Sequence, residues 1–304
     1  MPDSYGSIEL SFHHMAYHLR VLESSGEAFQ HLFVQIMERA YPGSFESVKP
    51  YGNQGDWKCD GRLGGQYFQC YAPAEMKVAV ATAKIREDFA GCIARWGDRV
   101  KEWTLVHNSR EGLPAPIWDL LDSLRSAYPN VEITCWHRNR LWEELKNLPY
   151  STRCEVLGAV PGRSEVQQVT FAELEVIVKY LNNVKPSSSE IGTVVPPEEK
   201  MEKNKLGNYA RQLITIGVSE FARVKSYIDR SPDPNVGEVL RQRFNEEYRR
   251  LKAEYPDEPD LVFGKLHRFA SCWSDDTKIQ GAGLTVLCYF FVTCDVFRTE
   301  EEAS

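Results

Sequence analysis

The sequence contains no run of about 18 apolar residues, the length that would cross a bilayer as a helix. Its opening, MPDSYGSIELSF, has no basic stretch followed by an apolar one, so no secretory leader and a cytoplasmic location are expected. Eight cysteines are present, yet none forms a C-x-x-C pair and no spacing repeats. This argues against a zinc ribbon or a disulfide framework, and for reduced thiols mostly buried as small hydrophobes. The one alternative is a disulfide or zinc site at Cys59 and Cys70, which fall on strands able to pair. There is no phosphate loop: GRLGG at residues 61–65 lacks the Lys-Ser/Thr and the helix start, so any ATPase is a partner. There is no HExxH either. His14 and His18 stand four apart, but without the glutamate a surface helix carrying histidines is the simpler reading. His107 follows an apolar strand and reads as a structural hydrogen-bonder.

Net positive charge is lacking too. The 36 Lys and Arg fall short of the 43 Asp and Glu, a net charge of −7, which argues against nucleic-acid coating by the whole molecule. The deficit is uneven. Residues 49–101 hold nine Lys and Arg against six Asp and Glu, whereas residues 186–304 hold 16 against 20. A mildly basic region beside an acidic one suits a chain whose first part meets phosphate and whose second part meets protein. Apolar material is plentiful, with 42% hydrophobic and 12% aromatic residues, enough for the core of one large or two ordinary domains.

The segment VKPSSSEIGTVVPPEEKMEK, residues 184–203, is rich in Ser, Pro and Glu without apolar periodicity, and reads as an exposed linker. Before it, helix and strand signals alternate, which predicts an α/β domain with a mixed sheet over residues 1–183. After it, strand signals nearly vanish, which predicts an all-α domain over residues 204–304. In the first part, Phe29, Leu32, Phe33, Ile36, Met37 and Ala40 recur at helical spacing. A short strand from Phe45 to Lys49 follows, then a hairpin of residues 56–63 and 66–71 turning at Gly64 and Gly65. A long helix in AEMKVAVATAKIREDFAGCIARW comes next, then strand EWTLVHN, helix APIWDLLDSLRSAY, strand VEITCWH and helix RLWEELKNL. In the second part, NKLGNYARQLITIGVSEFARVKSYIDR reads as one periodic stretch kinked near Gly217. RQRFNEEYRRLKAEY reads as a solvated helical face, and GAGLTVLCYFFVTCDVF, residues 281–297, as a helix buried in a core or an interface.

Alternate residues of a strand share a face. A regular strand over residues 56–63 puts Asp56, Lys58 and Asp60 on one side and Trp57 and Cys59 on the other. On the partner strand Gln69 and Tyr71 join the polar face, and Phe68 and Cys70 the apolar one. One reading is a hairpin with a solvated side. The other is a metal site for phosphodiester hydrolysis, which needs carboxylate oxygens for Mg²⁺, a polarised water, and a lysine to orient it or balance charge. Two adjacent carboxylates repel unless a cation sits between them. The flanking glycines Gly55, Gly61, Gly64 and Gly65 permit a close approach.

GDWKCDG followed by FQCY resembles the core of PD-(D/E)xK nucleases, in particular their Mrr-like branch. There a G-x-D-G strand precedes a [DEQ]-x-K strand, and an earlier helix supplies an acid. KIREDF, VHN and GLP resemble landmarks of the endonuclease effectors of bacterial anti-phage systems. GAGLTVLCYFFVTCDVF resembles the end of the C-terminal domain in ABC three-component systems. Together the two ends resemble the nuclease-type effector subunit, LmuA, of Lamassu defence systems, over nearly the whole chain. The resemblance implies a PD-(D/E)xK nuclease-like domain followed by a helical partner-binding domain. It implies Asp60 as a metal ligand, Gln69 as a ligand of the metal or its water, Cys70 within the same set, and Mg²⁺ or Mn²⁺ as cofactor. It further implies an endodeoxyribonuclease, silent while an SMC-like ABC ATPase and a small bridging subunit hold its C-terminal domain. Release and self-association into a homo-oligomer would activate it on DNA. Two positions depart from the pattern. Tyr71 stands where the motif has lysine, and Gln30 where the first helix has glutamate, with Glu27 one turn away. Lys58, or Lys84 on the following helix, is then the substitute lysine. The alternative is a catalytically degenerate DNA-binding or scaffold subunit of the same complex, and RNA is a further substrate.

Overall fold

A computed structural model describes residues 6–48, 58–182, 197–293 and 296–297. Two compact units divide the chain: Arg20–Val156, here the sheet unit, and Met1–Leu19 with Leu157–Ser304, here the helical unit. The expected division at 183 and 204 follows composition, whereas compactness groups the first residues and the stretch 157–182 with the later helices. Of the expected linker, residues 184–196 lie outside the described residues, and Pro197–Lys203 is helical.

The chain opens with α1 (Gly6–Glu23) and α2 (Glu27–Ala40). A meander follows, β1 (Phe45–Ser47), β2 (Gly61–Leu63) and β3 (Gln66–Tyr71), then α3 (Val78–Trp96), β4 (Glu102–His107), α4 (Ala115–Ala127), β5 (Glu132–Trp136), α5 (Arg138–Lys146) and α6 (Tyr150–Leu157). The five strands lie in chain order; β1, β2 and β3 pair antiparallel, and β3, β4 and β5 parallel. Parallel neighbours need a crossover, and α3 and α4 are those crossovers. Leu63 pairs with Gln66 across the expected turn, where Gly64 adopts φ 59°, a conformation glycine takes without a Cβ penalty.

One face of the sheet presents Tyr67, Trp103, Leu105 and Ile133 to a core that includes Ile85 and Phe89 of α3 and Ile117 and Leu121 of α4. On the other face Phe68 meets Phe33 of α2 at 5.4 Å between ring centroids, and Trp136 at 5.1 Å. Helix α2 buries Phe29, Leu32, Phe33, Ile36 and Met37, as the spacing predicts. Each such side chain contributes about 1.5–3 kcal/mol by leaving water. One expectation is corrected here. The strand over residues 56–63 is only Gly61–Leu63 where described, because Lys58 is left-handed at φ 59° and Asp60 lies in a bend. Asp56 lies outside the described residues.

The helical unit continues with α7 (Arg163–Gln167), α8 (Phe171–Asn182), α9 (Pro197–Lys203), α10 (Asn208–Val218), α11 (Phe221–Asp229), α12 (Val236–Glu254), α13 (Pro259–Ala270) and α14 (Thr277–Thr293). Helix α14 is buried without a break from Gln280 to Cys288 and packs against α7, α8, α10 and α13. The expected apolar helix is therefore the core of its own unit. The stretch expected as one kinked helix is two, α10 and α11. A Cβ at Gly217 would sit 2.4 Å from Cys288 Sγ, so glycine there lets α10 close on α14. Helix α1 is not the surface helix expected. His13 is fully buried, with Nε2 3.3 Å from the Gly158 carbonyl, and Phe12 and Tyr17 are buried beside it. Among the described residues no helix is long and apolar enough to cross a membrane.

Candidate active site at the β2–β3 hairpin

Asp60 directly precedes β2. Its N–H donates to the Phe68 carbonyl at 2.8 Å, and its carbonyl accepts from the Val48 N–H at 3.1 Å. It therefore remains in the hydrogen-bond ladder although the regular strand begins one residue later. Gly61 pairs with Phe68, which brings Asp60 opposite Gln69. Asp60 is only 2% exposed, and its Oδ2 accepts the Cys70 N–H at 2.5 Å, a charge-assisted bond. The Cys70 thiol is pushed well up from its ordinary pKa, first by burial, then by the Asp60 charge and a hydrogen bond to it. Protonated, the thiol is a donor to that carboxylate. Cys70, expected in the metal set, lies beside Asp60 and is hydrogen-bonded to it.

Gln69 is buried at 7% exposure, its Nε2 lies 3.4 Å from the Cys70 carbonyl, and its Oε1 is buried without a hydrogen-bond partner among the described residues. A buried carbonyl oxygen left so costs about 1–3 kcal/mol, which a cation or a donor at that oxygen would offset. The Asp60 carboxylate and the Gln69 amide oxygen are hard donors. They suit Mg²⁺, which commonly keeps several waters and takes only one or two carboxylates from protein. Among the described residues no three or more His, Cys, Asp or Glu gather as a metal-binding group. Asp56, expected at the same site, lies outside those residues. The histidine pair of α1 forms an aromatic stack instead: His14 lies 4.2 Å from His18 and 4.0 Å from Tyr209 between ring centroids. Cys59 and Cys70 form no disulfide among the described residues.

The lysines are arranged differently from the strand-based expectation. Lys58 does not share a strand face with Asp60. Its left-handed backbone sends Nζ to α3, 2.6 Å from Glu87 and 3.3 Å from Asp88. The hydrogen bond to Glu87 is the largest influence raising the Lys58 pKa, burial opposes it, and Asp88 adds to the rise. Lys84 also reaches Asp88, with Nζ at 2.7 Å. The Lys58 stem crosses α3 at Gly91, where a Cβ would meet Lys58 Cγ at 2.4 Å. Tyr71 shares the β3 face of Gln69, and burial followed by the Asp88 charge raises its phenol pKa. Asp88, 2% exposed, therefore gathers both candidate lysines and Tyr71. Sequence reasoning did not single it out. The Lys84–Asp88 spacing within KIREDF was visible, but an i, i+4 pair looks the same whether it faces solvent or a sheet.

The start of α2 is tied to the end of β3 by the Gly26 N–H, which donates to the Ala72 carbonyl at 2.6 Å. Glu27 there is exposed, and Gln30 is half-buried. A cleft of about 680 Å³ opens past the carboxyl ends of β3 and β4, lined by Glu23, Pro73, Asn108 and Arg110 among others. Ligands commonly bind at that end of parallel strands. Asp60, Gln69 and Lys58 are not among the residues lining it. His107, at the end of β4, accepts the Ser109 N–H through Nδ1 at 3.2 Å, and burial followed by His137 pushes its pKa down to about 4. It is a neutral, structural histidine, as read from the sequence.

Residues 172–298 match the family model for C-terminal domain 10 of the ABC-three component (ABC-3C) systems. The helical region is thus similar to a domain of those multi-component systems, in agreement with the reading of the tail. The match leaves the sheet unit uncovered. No curated protein and no solved structure is significantly similar to the chain.

Proposed function

We propose that the chain is a Mg²⁺-dependent DNA endonuclease, the LmuA-type effector of a Lamassu or related ABC three-component defence complex against phage or plasmids. The observation that carries this reading is a buried carboxylate, Asp60, held opposite a buried Gln69 whose carbonyl oxygen has no partner among the described residues. The order α2, β2, β3 supports it, because the PD-(D/E)xK resemblance implies an acid-bearing helix before the two motif strands. Asp60 and Gln69 would hold Mg²⁺, or Mn²⁺ in its place. Bound there, the ion would supply a polarised water and charge neutralisation at the scissile phosphate. The Cys70 N–H and thiol fix the orientation of the Asp60 carboxylate. Lys58 and Lys84 place two ammonium groups around Asp88, at the Tyr71 end of the strand face that carries Gln69. There they would balance the charge of a bound backbone, the part that a motif lysine plays.

One site cuts one strand, so a double-strand break needs two sites on antiparallel strands, most simply in a symmetric assembly. The helical unit would dock an SMC-like ABC ATPase and a small bridging subunit, and release would permit self-association in the cytoplasm. A second reading is a degenerate nuclease fold that binds DNA or scaffolds the complex. It is favoured by Tyr71 at the lysine position and by the ion pairs that already engage Lys58 and Lys84. Plasmid cleavage with Mg²⁺ by wild type, Asp60→Ala, Lys58→Ala and Lys84→Ala, across protein concentration, separates the two. Nicking by wild type that Asp60→Ala abolishes supports the enzyme. Absence of nicking with and without partner subunits supports the scaffold. Matched DNA and RNA duplexes decide the backbone that is cut.

A further inference from the structure

The helical unit contains a pocket of about 420 Å³ in which Lys205 and Lys252 stand over a floor that includes Tyr248, Val262 and Phe297. The charge balance there is unusual for its surroundings. Residues 186–304 are acidic, yet this pocket is lined by three lysines against one carboxylate, Asp257. Lys203, the third, shares its charge with Glu199 at 2.8 Å. Lys205 is exposed, and Lys252 holds its ammonium 6.0 Å from the Tyr248 ring centroid; neither forms an ion pair among the described residues. The floor is apolar and closed: Tyr248 and Phe297 lie 4.9 Å apart between ring centroids, and Phe297 and Val262 are each 2% exposed.

The walls are held in place against local preference. Lys205 at φ 53° and Phe297 at φ 61° are left-handed although neither is glycine. Asn204 ties the Phe297 turn to α9, its Nδ2 donating to the Phe297 carbonyl at 2.5 Å. The buried Lys200 ammonium donates to the Phe291 carbonyl at 2.6 Å. Such conformations persist where surrounding contacts over-determine them, and they concentrate at ligand clamps.

We propose that this pocket docks an acidic peptide segment of a partner protein, with carboxylates on Lys205 and Lys252 and one apolar side chain against Pro256 and Pro259, the open apolar part of the lining. The chemistry favours a peptide over a nucleotide. The aromatic rings are buried and offer no open face for a base, and Asp257 opposes the dense charge of a polyphosphate. No arginine is present for bidentate phosphate contacts. The inference is independent of whether Asp60 cuts DNA.

The test titrates the full chain with acetyl-Glu-Glu-Phe-Glu-Glu-amide, followed by isothermal calorimetry and NMR. Counterparts carry Gly in place of Phe, or Lys in place of Glu. ATP and inorganic phosphate are titrated separately. Saturable binding of the Phe-centred acidic peptide is expected, weaker for the Gly counterpart, absent for the Lys counterpart and falling with salt. Lys205→Glu with Lys252→Glu should weaken it by about tenfold or more, the factor that corresponds to 1.4 kcal/mol. Lys205→Asn removes charge with a residue that tolerates the left-handed backbone, so it keeps the test valid if the double variant is misfolded. Absence of peptide binding, equal binding by a folded variant, or tighter binding of ATP or phosphate than of peptide overturns the proposal.

Discussion

The two units bury charges of different sign at their most enclosed positions, carboxylates in the sheet unit and the Lys200 ammonium in the helical one. In the sheet unit two carboxylates, Asp60 and Asp88, are each 2% exposed, and the buried amide oxygens of Gln35 and Gln69 have no partner among the described residues, as is true of Asn245 in the helical unit. In the helical unit most ion pairs join exposed residues three or four apart along one helix, such as Lys225–Asp229 and Arg250–Glu254. Its interior is built on α14, where Thr285 and the neutral His267 bond nearby carbonyls. Exposed helical pairs contribute about 0.3–0.5 kcal/mol each and can be exchanged freely. Buried carboxylates are costly to keep and rarely serve packing alone. The proposed function places chemistry in the sheet unit and association in the helical one.

The largest effect expected is on α14. Phe291→Ala removes a fully buried ring 5.6 Å from Phe297 and should destabilise the helical unit by about 3–5 kcal/mol, read as a shift in denaturant midpoint. Little change in the midpoint would remove α14 from its central place. Next, Asp60→Asn should lower Mg²⁺-dependent nicking by about a hundredfold or more while leaving the helical unit intact. Wild-type rates in that variant would dissolve the functional half of the contrast.

Acid should act on both units alike. His107 and His267 are each pushed from 6.5 down to about 4, chiefly by burial. Between those values the unfolded chain binds protons that the folded chain does not. The stability is complete above pH 6.5 and is lost as pH falls towards 4, on the order of 3 kcal/mol per histidine. Unfolding free energies measured from pH 7 to pH 4.5 should slope accordingly, and His107→Asn or His267→Asn should flatten one share of that slope. The smallest effect is the sharpest. Gly91→Ala favours the α3 helix by about 1 kcal/mol but displaces the Lys58 stem. Stability held or raised with nicking reduced would show that Lys58 works from its place on α3; unchanged nicking would pass the role to Lys84.

Much of this was legible in the sequence. The α2 periodicity, the Gly64–Gly65 turn, β3 and the burial of residues 281–291 follow from local pattern. The faces of the hairpin were not legible. Strand alternation holds only while φ stays extended, and Lys58 breaks it at φ 59°. Asp88 was hidden because its partners come from two elements, and its burial depends on how α3 meets the sheet. Helices α7 and α8 follow a stretch whose local signals are short, and their place is set by packing with later helices, α8 on α14 and α7 on α10.

The division of the chain also sets an order of events during synthesis. The sheet unit is one unbroken stretch, Arg20–Val156, with strands paired in the order they emerge. The helical unit joins Met1–Leu19 to everything after Leu157, and its central helix ends at Thr293. On the ribosome, domains fold as their residues become available. The unit holding Asp60 can therefore mature before the helices after Leu157 are made. The unit that would restrain it is assembled only once its central helix has emerged.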